Sequence, residues 1–344
     1  MKIGKKKLGQ KEKAFIVAEV GQAHDGSIGY AHSFIDIASE TGVDAIKFQA
    51  HFASEESTRD EKFRVNFSYV DKDRYDYWKR MEFSPSQLKE LKEHSESLGL
   101  EFICTPFSDY AIDVLQELGI KVWKIGSGES SSSSFIEKIA STKKPIILST
   151  GMSFLKEIDE TVNFFKHKDI DFCLLQCTSK YPTPLEEIEV HSMINFAKRY
   201  EALVGLSDHS GTIWPSLFGI VNGANLIEVH IKLDVNAFGP DSSSSLLPEQ
   251  ISNICEARDT FHIFKNNTNK KDTTSKELSK TRRLFSKSIS LHSNFKKGTK
   301  ITKKMISMRK PGTGFPESQL NKILGKKLKR DYNRDYLLKK SDIE

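Results

Sequence analysis

Eight short apolar runs recur through the first 230 residues, and longer amphipathic stretches separate most of them. They are "FIVAEV" (15–20), "DAIKFQ" (44–49), "EFICTP" (101–106), "KVWKIG" (121–126), "PIILST" (145–150), "DFCLLQCT" (171–178), "LVGLS" (203–207) and "NLIEVH" (225–230). Each has the length of a strand. Two of the intervening stretches are "SPSQLKELKEHSESLG" and "SFLKEIDETVNFFKHK"; the first opens near Pro85 and stops at Gly99, which are helix start and stop signals. Strand and helix in alternation predict a parallel sheet. Eight such units in roughly 250 residues predict a closed (β/α)8 barrel rather than an open doubly wound sheet.

The barrel pattern fades after "ICEARDTFHIFK". The polar stretch 266–281 reads as a linker, which bounds a barrel over 1–265 and a small basic module over 282–344. Within that module "FKKGTKITKKMI" (295–306) and "YNRDYLLKKSDI" (332–343) share a spacing of apolar and charged positions, predicting two short β-rich halves.

Composition narrows the function class. Lys and Arg total 52 against 46 Asp and Glu, and the excess sits in "KIGKKK" and the last 80 or so residues. No basic motif is interleaved with aromatics, so the lysines read as solvated faces and nucleic acid is not an expected partner. Cys104, Cys173, Cys177 and Cys255 form no CxxC and sit largely in apolar runs, reading as buried free thiols of a reducing compartment. No apolar run has signal-peptide or membrane-span length, so a soluble, cytoplasmic protein with no membrane partner is expected.

Five serines (130–134) follow the fourth run. A serine run commonly reads as a spacer, but Ser134 and Glu137 fit a capping box before "FIEKIAS". The run is therefore expected to be a βα loop, on the face where barrel enzymes keep their chemistry.

Every run ends in polar or ionisable residues. Lys47, Thr105, Lys124, Ser127, Ser149 and Ser207 supply cations and hydroxyls around one point, the inventory a phosphate needs. His209 and His230 lie at adjacent strand ends, with Glu19 and Asp208 at neighbouring ones, and predict a metal site with open positions, suited to Lewis-acid chemistry on a carbonyl.

The motifs "AEVGQAHDGS", "IKFQAH", "CTPF", "KIGSGE", "ILSTGM", "CTSKYPTP", "GLSDHSG" and "GPD" resemble, in order, those of the N-acetylneuraminate (sialic acid) synthase family, and "KKGTKIT…KPGTG" resembles its antifreeze-like (SAF) domain. The resemblance covers residues 15–344. It implies a barrel followed by a β-clip SAF domain, a domain-swapped homodimer, a requirement for Mn²⁺ or Mg²⁺, and condensation of phosphoenolpyruvate (PEP) with an acylamino-hexose such as N-acetylmannosamine. Phosphate then leaves by C–O cleavage. It implies His209 and His230 as metal ligands and the phosphate inventory above as the PEP set, with Ser179 at its edge. Glu129 and Asp241 would hold sugar hydroxyls, Gln49, Phe107 and Tyr181 would wall the sugar pocket, and Glu19 would stand by the reacting carbons.

Three departures fall near the acceptor sugar or the edge of the site. Ser179 replaces the family's Asn. Lys310 stands directly before "PGTG", where the family's usual Arg reaches the sugar's acyl group across the dimer, and Arg309 lies one place earlier. The loop "LDVNAFGPDSSSSLLPE" also differs from the common form. Arg and Lys differ in fork-like hydrogen bonding, so the acceptor is less constrained than the reaction. Two other readings stand beside this one: a Schiff-base aldolase using Lys47 or Lys124, and an inactive carbohydrate-binding protein.

Overall fold

The computed structural model describes residues 1–63, 67–268 and 270–344. The chain divides into two compact units, Met1–Asn266 and Asn267–Glu344.

The first unit is built on eight parallel strands: β1 (Phe15–Glu19), β2 (Ala45–Ala50), β3 (Glu101–Pro106), β4 (Trp123–Ile125), β5 (Ile146–Ser149), β6 (Phe172–Cys177), β7 (Leu203–Asp208) and β8 (Leu226–His230). Ladders join them in the order β3-β2-β1-β8-β7-β6-β5-β4. Chain neighbours are thus sheet neighbours except β3 and β4, which stand at the two ends of the order with no ladder between them among the described residues, and β8 pairs back onto β1 with His230 opposite Glu19. This is the (β/α)8 barrel the alternation predicts, nearly closed in its hydrogen bonding.

The strands' period-2 faces explain both core and site. Outward positions such as Ile16, Ala18, Ile46, Phe48, Phe102, Cys104 and Leu148 are buried under the helices. Inward positions change character along each strand. Phe15, Val17, Ala45, Ile103, Val122, Ile147, Cys173, Leu175 and Leu226 form an apolar plug at the N-terminal ends. Two residues further along the same faces stand Glu19, Lys47, Thr105, Lys124, Ser149 and Glu228, all buried. Gly205 is where β7 comes closest to its neighbour, since a Cβ there would lie 2.1 Å from the Leu226 carbonyl oxygen.

The basic N-terminus is not simply a solvated tail. Lys2–Ile3 and Lys6–Lys7 pair as an antiparallel hairpin. Ile3 and Leu8 are fully buried in the inner plug, closing the bottom of the barrel. Asp44 ties this end together: its carboxylate accepts from Ile16 N, Lys6 Nζ and Arg258 Nη1, each at 2.8 Å. Arg258 lies on the closing helix Pro248–Asn266.

The helix after β4 spans Ser133–Ser141, and no side chain caps its first turn. The capping box expected at Ser134 is therefore absent: Ser134 is already inside the helix. The serines before it do form a βα loop, stiffened by Ser130 Oγ, which donates to the Ser127 carbonyl oxygen (2.8 Å) and bonds Ser153 Oγ (2.7 Å). All four cysteines are free and buried. No helix among the described residues is long and apolar enough to cross a membrane.

In the second unit, short helices Lys271–Glu277 and Ser279–Phe285 occupy the stretch read from the sequence as a linker. Strands β9 (Ser288–Leu291) and β10 (Ile306–Arg309) then pair antiparallel. The internal repeat is structural. Phe295 and Tyr332 exchange both backbone hydrogen bonds at 2.9 Å. Around this pair the bonds recur at a constant offset: Gly298 N to Leu328 O (2.7 Å) mirrors Asp335 N to Leu291 O (2.8 Å), and Ile301 N to Lys326 O mirrors Leu338 N to Ile289 O, both 2.9 Å. Ile301 and Leu338 are equivalent core positions of the two halves.

Candidate active site

The C-terminal mouth of the barrel opens into a cavity of about 740 Å³, within the range of small-molecule sites. Of the residues singled out in the sequence, Glu19, Lys47, Gln49, Thr105, Phe107, Lys124, Ser127, Glu129, Ser149, Ser179, Tyr181, Ser207, His209, His230 and Asp241 all line it. Arg309 and Lys310 belong to the second unit, where Arg309 Nε pairs with Asp335 Oδ1 at 2.9 Å and Lys310 Nζ stands 5.1 Å over the Phe285 ring. Asp208 does not join the site. It follows Ser207 on β7 and so faces the other way, its carboxylate accepting from Ser210 N (3.0 Å) and Ser210 Oγ (2.9 Å).

One end of the cavity is cationic at its base. Lys47 Nζ lies 3.1 Å from Glu19 Oε2, 3.4 Å from Glu228 Oε1 and 3.4 Å from Thr105 Oγ1. Lys124 Nζ donates to Ser149 Oγ at 2.8 Å and lies 3.6 Å from Glu228 Oε1, which also accepts from Ser207 Oγ at 3.0 Å. Burial works against both ammonium groups. At Lys47 the carboxylates of Glu19 and Glu228 outweigh it and the pKa rises. At Lys124, Glu228 does not fully offset burial and the pKa falls. Burial opposes the charge on Glu228 too, but the two lysines hold its carboxyl low. The sequence marks Glu228 with His230 at the end of the eighth strand, yet its reading gave Glu228 no role in the site; the available signal was its place two residues before His230, on the same strand face.

Beside the lysines the backbone makes a cradle. A Cβ on Gly151 would lie 2.5 Å from Cys177 Sγ, 2.6 Å from Ser179 Oγ and 3.1 Å from Ser127 Oγ. The amide of Gly151 donates to Ser127 Oγ at 3.1 Å. Only a residue without a side chain leaves this space open, and hydroxyls with two lysines nearby suit an oxyanion.

Across the cavity the His209 and His230 rings stand 5.3 Å apart. His209 Nδ1 is 3.0 Å from the Thr178 carbonyl oxygen, so Nδ1 carries the hydrogen and Nε2 presents a lone pair, which meets the Tyr181 hydroxyl at 3.1 Å. Burial, then His230, lower the His209 pKa to about 3, so it is neutral, the form that ligates metals. His230 Nδ1 is buried with no hydrogen-bond partner among the described residues and lies 3.8 Å from Asp241 Oδ2. Among the described residues no group of three or more His, Cys, Asp or Glu could hold a metal ion. What fits a divalent ion is the chemistry of two imidazole nitrogens, His209 Nε2 and the bare His230 Nδ1.

Between these ends Glu19 is fixed by two contacts. Its Oε1 accepts from Gln49 Nε2 at 2.6 Å. Its Oε2 is near Lys47 but out of line for a hydrogen bond, leaving a buried lone pair. Gln49 Oε1 meets His51 Nε2 at 2.8 Å, and His51 Nδ1 meets Glu56 Oε1 at 2.8 Å. His51 is stacked between Trp78 and Phe107, ring centroids 4.1 and 4.3 Å away. His51 too was missed, although residues 47, 49 and 51 share the inward face of β2 and its extension. Glu129 sits over Gly126, and burial raises its pKa.

Comparison with known proteins agrees with this fold. The NeuB family model matches residues 34–270 and the SAF domain model residues 294–344. The N,N'-diacetyllegionaminic acid synthase of Campylobacter jejuni is 32% identical, covering 95% of this chain and 99% of its own. The N-acetylneuraminate-9-phosphate synthase of Mus musculus is 28% identical, covering 98% and 94%. Among solved structures, the N-acetylneuraminic acid synthetase of Leptospira borgpetersenii, in complex with citrate, superposes with a TM-score of 0.71 at 27% identity, covering 82% of this chain and 95% of that one.

Proposed function

The chain belongs to the NeuB family, and from that premise we propose that it is a nonulosonic acid synthase condensing PEP with an acylamino-hexose. The enzyme class is that of its relatives, a transferase making a carbon–carbon bond. The supporting observation is the pairing, in one cavity, of a lysine-based oxyanion cradle with the two imidazoles of His209 and His230.

In this reading Lys47 and Lys124 bind the PEP anion, and Ser127, Ser179 and the Gly151 cradle take its phosphate oxygens. Ser149, Thr105 and Ser207 hold the lysines and Glu228 in place. His209 and His230 would hold a divalent ion, Mn²⁺ or Mg²⁺, which polarises the acceptor aldehyde when bound. C3 of PEP forms a bond to the aldehyde carbon, whose oxygen takes a proton and becomes a hydroxyl. The electron pair comes from the enol, leaving positive charge at C2. Glu19, with its bare oxygen, steadies that charge or orients the water that adds there. That water gives up one proton on adding, offsetting the one taken by the aldehyde oxygen; the C2–O bond to phosphate then breaks, the C2 hydroxyl passes its remaining proton to the departing phosphate, and C2 becomes a ketone. Glu129, Asp241, Tyr181, Gln49 and Phe107 would surround the sugar. Arg309 or Lys310 of a second copy would reach its acyl group in a domain-swapped homodimer, working in the cytoplasm.

The test is phosphate release from PEP and Mn²⁺ against a panel of acylamino-hexoses, with mass spectrometry of the product. Metal-dependent release and a product heavier than the acceptor by the PEP carbon unit are expected. Release without metal, or none with any aldose, would overturn the proposal. The lowered pKa of Lys124 favours one rival, a Schiff-base aldolase. Borohydride trapping of a substrate on Lys124 would establish that rival instead.

A further inference from the structure

The cavity wall contributed by the segment after β2 has a different chemistry from the lysine end. Besides Glu19 Oε2 and His230 Nδ1, three buried polar atoms lining the cavity have no hydrogen-bond partner among the described residues: Glu56 Oε2 and the Tyr77 hydroxyl on this wall, and Glu129 Oε2. Two of them can only accept as carboxylates, and a buried acceptor left bare is costly. Their complement is a ligand that donates, through hydroxyls or amide N–H groups.

Glu56 cannot turn away to satisfy itself. Its other oxygen is engaged by His51 Nδ1 at 2.8 Å, and the ring is clamped between Trp78 and Phe107. Tyr77 is almost fully buried, and burial raises its pKa, so its hydroxyl keeps its proton.

The same wall is hostile to anions. Beyond Lys47 and Lys124, Arg74 is the one cationic side chain among the described lining residues. Its charge is balanced by a carboxylate of the same wall: its Nε pairs with Glu61 Oε1 at 2.9 Å, and its guanidinium lies 5.0 Å from the Trp78 ring centre. Glu56, Glu61, Glu129 and Asp241 all line the cavity. A second phosphate, beyond that of PEP, would bring acceptors to a wall of acceptors and charge to carboxylates of the same sign.

Resting on the PEP-condensing reading, we infer that the acceptor is an uncharged acylamino sugar, not a sugar phosphate, and that Glu56 and Tyr77 are the residues that select it through its hydroxyl or amide donors.

The test uses the full-length protein with Mn²⁺ and saturating PEP. Three acceptors are compared: an acylamino-hexose with a free 6-hydroxyl, its 6-deoxy analogue and its 6-phosphate. The 6-phosphate is expected to have a kcat/KM at least a hundredfold below the better neutral sugar, on the order of the rejection that unpaired buried polar groups give. Glu56→Gln is expected to raise acceptor KM about tenfold and to narrow the discrimination against the phosphate. Tyr77→Phe should act in the same direction, more weakly. In both variants PEP KM should stay within about twofold, which a general loosening of the site would not spare. Comparable or better use of the 6-phosphate overturns the inference, as does a parallel rise in both KM values. If no acceptor turns over, the PEP reading fails, and the inference is judged by titrating Trp78 fluorescence with the same sugars against Trp78→Phe. Quenching by neutral sugars alone upholds it; quenching by the phosphate, or by none, overturns it.

Discussion

Glu228 is the shared counter-ion of the two buried lysines, and replacing it with Gln tests the electrostatics of the cradle. Its Oε1 stands 3.4 Å from Lys47 Nζ and 3.6 Å from Lys124 Nζ. At an effective dielectric of about 20, each attraction is roughly 5 kcal/mol. Desolvation of three buried charges offsets most of that, so the quantity that matters is the cost of leaving a buried charge uncompensated, about 3–5 kcal/mol. Two features push the answer to the lower end. Lys47 keeps Glu19 at 3.1 Å. Lys124 has its pKa already lowered by burial and can shed its proton. Glu228→Gln is therefore expected to destabilise the barrel by about 3 kcal/mol, lowering Tm by roughly 6–12 °C for a domain of this size. Removing Lys124 as well, as Glu228→Gln/Lys124→Met, should recover more than half of the loss. Inorganic phosphate should raise the Tm of Glu228→Gln more than that of the wild type, because the oxyanion takes over part of the missing carboxylate's role. Differential scanning fluorimetry with and without phosphate reads all three. A single variant melting within about a degree of wild type, with the same phosphate response, would refute the charge accounting.

Three further outcomes follow from other parts of the molecule. Gly151→Ala should fold normally but weaken PEP binding about a hundredfold, read by the KM for PEP, since its Cβ would fill the space between Cys177, Ser179 and Ser127. Ile3→Ala should cost about 2–5 kcal/mol in urea denaturation, because Ile3 is fully buried in the plug; a cost near zero would mean the hairpin does not close the barrel. Arg80 forks onto Asp71 at 2.9 and 2.7 Å and holds its carboxyl below the ordinary 3.8. A depressed folded pKa contributes stability above the unfolded value and loses it as pH falls through the folded one. Asp71→Asn should therefore flatten the acid limb of the urea midpoint below about pH 4, and an unchanged limb would exclude that contribution.

The site was legible in the sequence wherever a chemically marked residue stood at the end of an apolar run. Lys47, Lys124, His209 and His230 could be placed together because a closed ring of parallel strands brings all C-terminal ends to one mouth. The same logic would have reached Glu228 and His51, each two residues from a marked position. It could not separate Ser207, which faces the cavity, from Asp208, which faces Ser210: adjacent strand residues point oppositely, and only the register assigns the sides. The serine run showed the ambiguity of local signals, since Ser132, Ser133 and Ser134 are nearly interchangeable as helix starts until packing chooses.

From the linear chain alone came the repeating strand–helix units, the second module with its duplicated halves, and the residue types gathered at the strand ends. These depend on periodicity and composition, which are local. The hairpin hidden in "KIGKKK", the burial of Ile3 and Leu8 beneath the barrel, the partners of each lysine and the unpaired oxygens of Glu56 and Glu129 were settled by tertiary structure. Such features arise where distant segments meet, and whether a charge there is neutralised, solvated or left bare depends on distances of a few ångströms that no local pattern encodes.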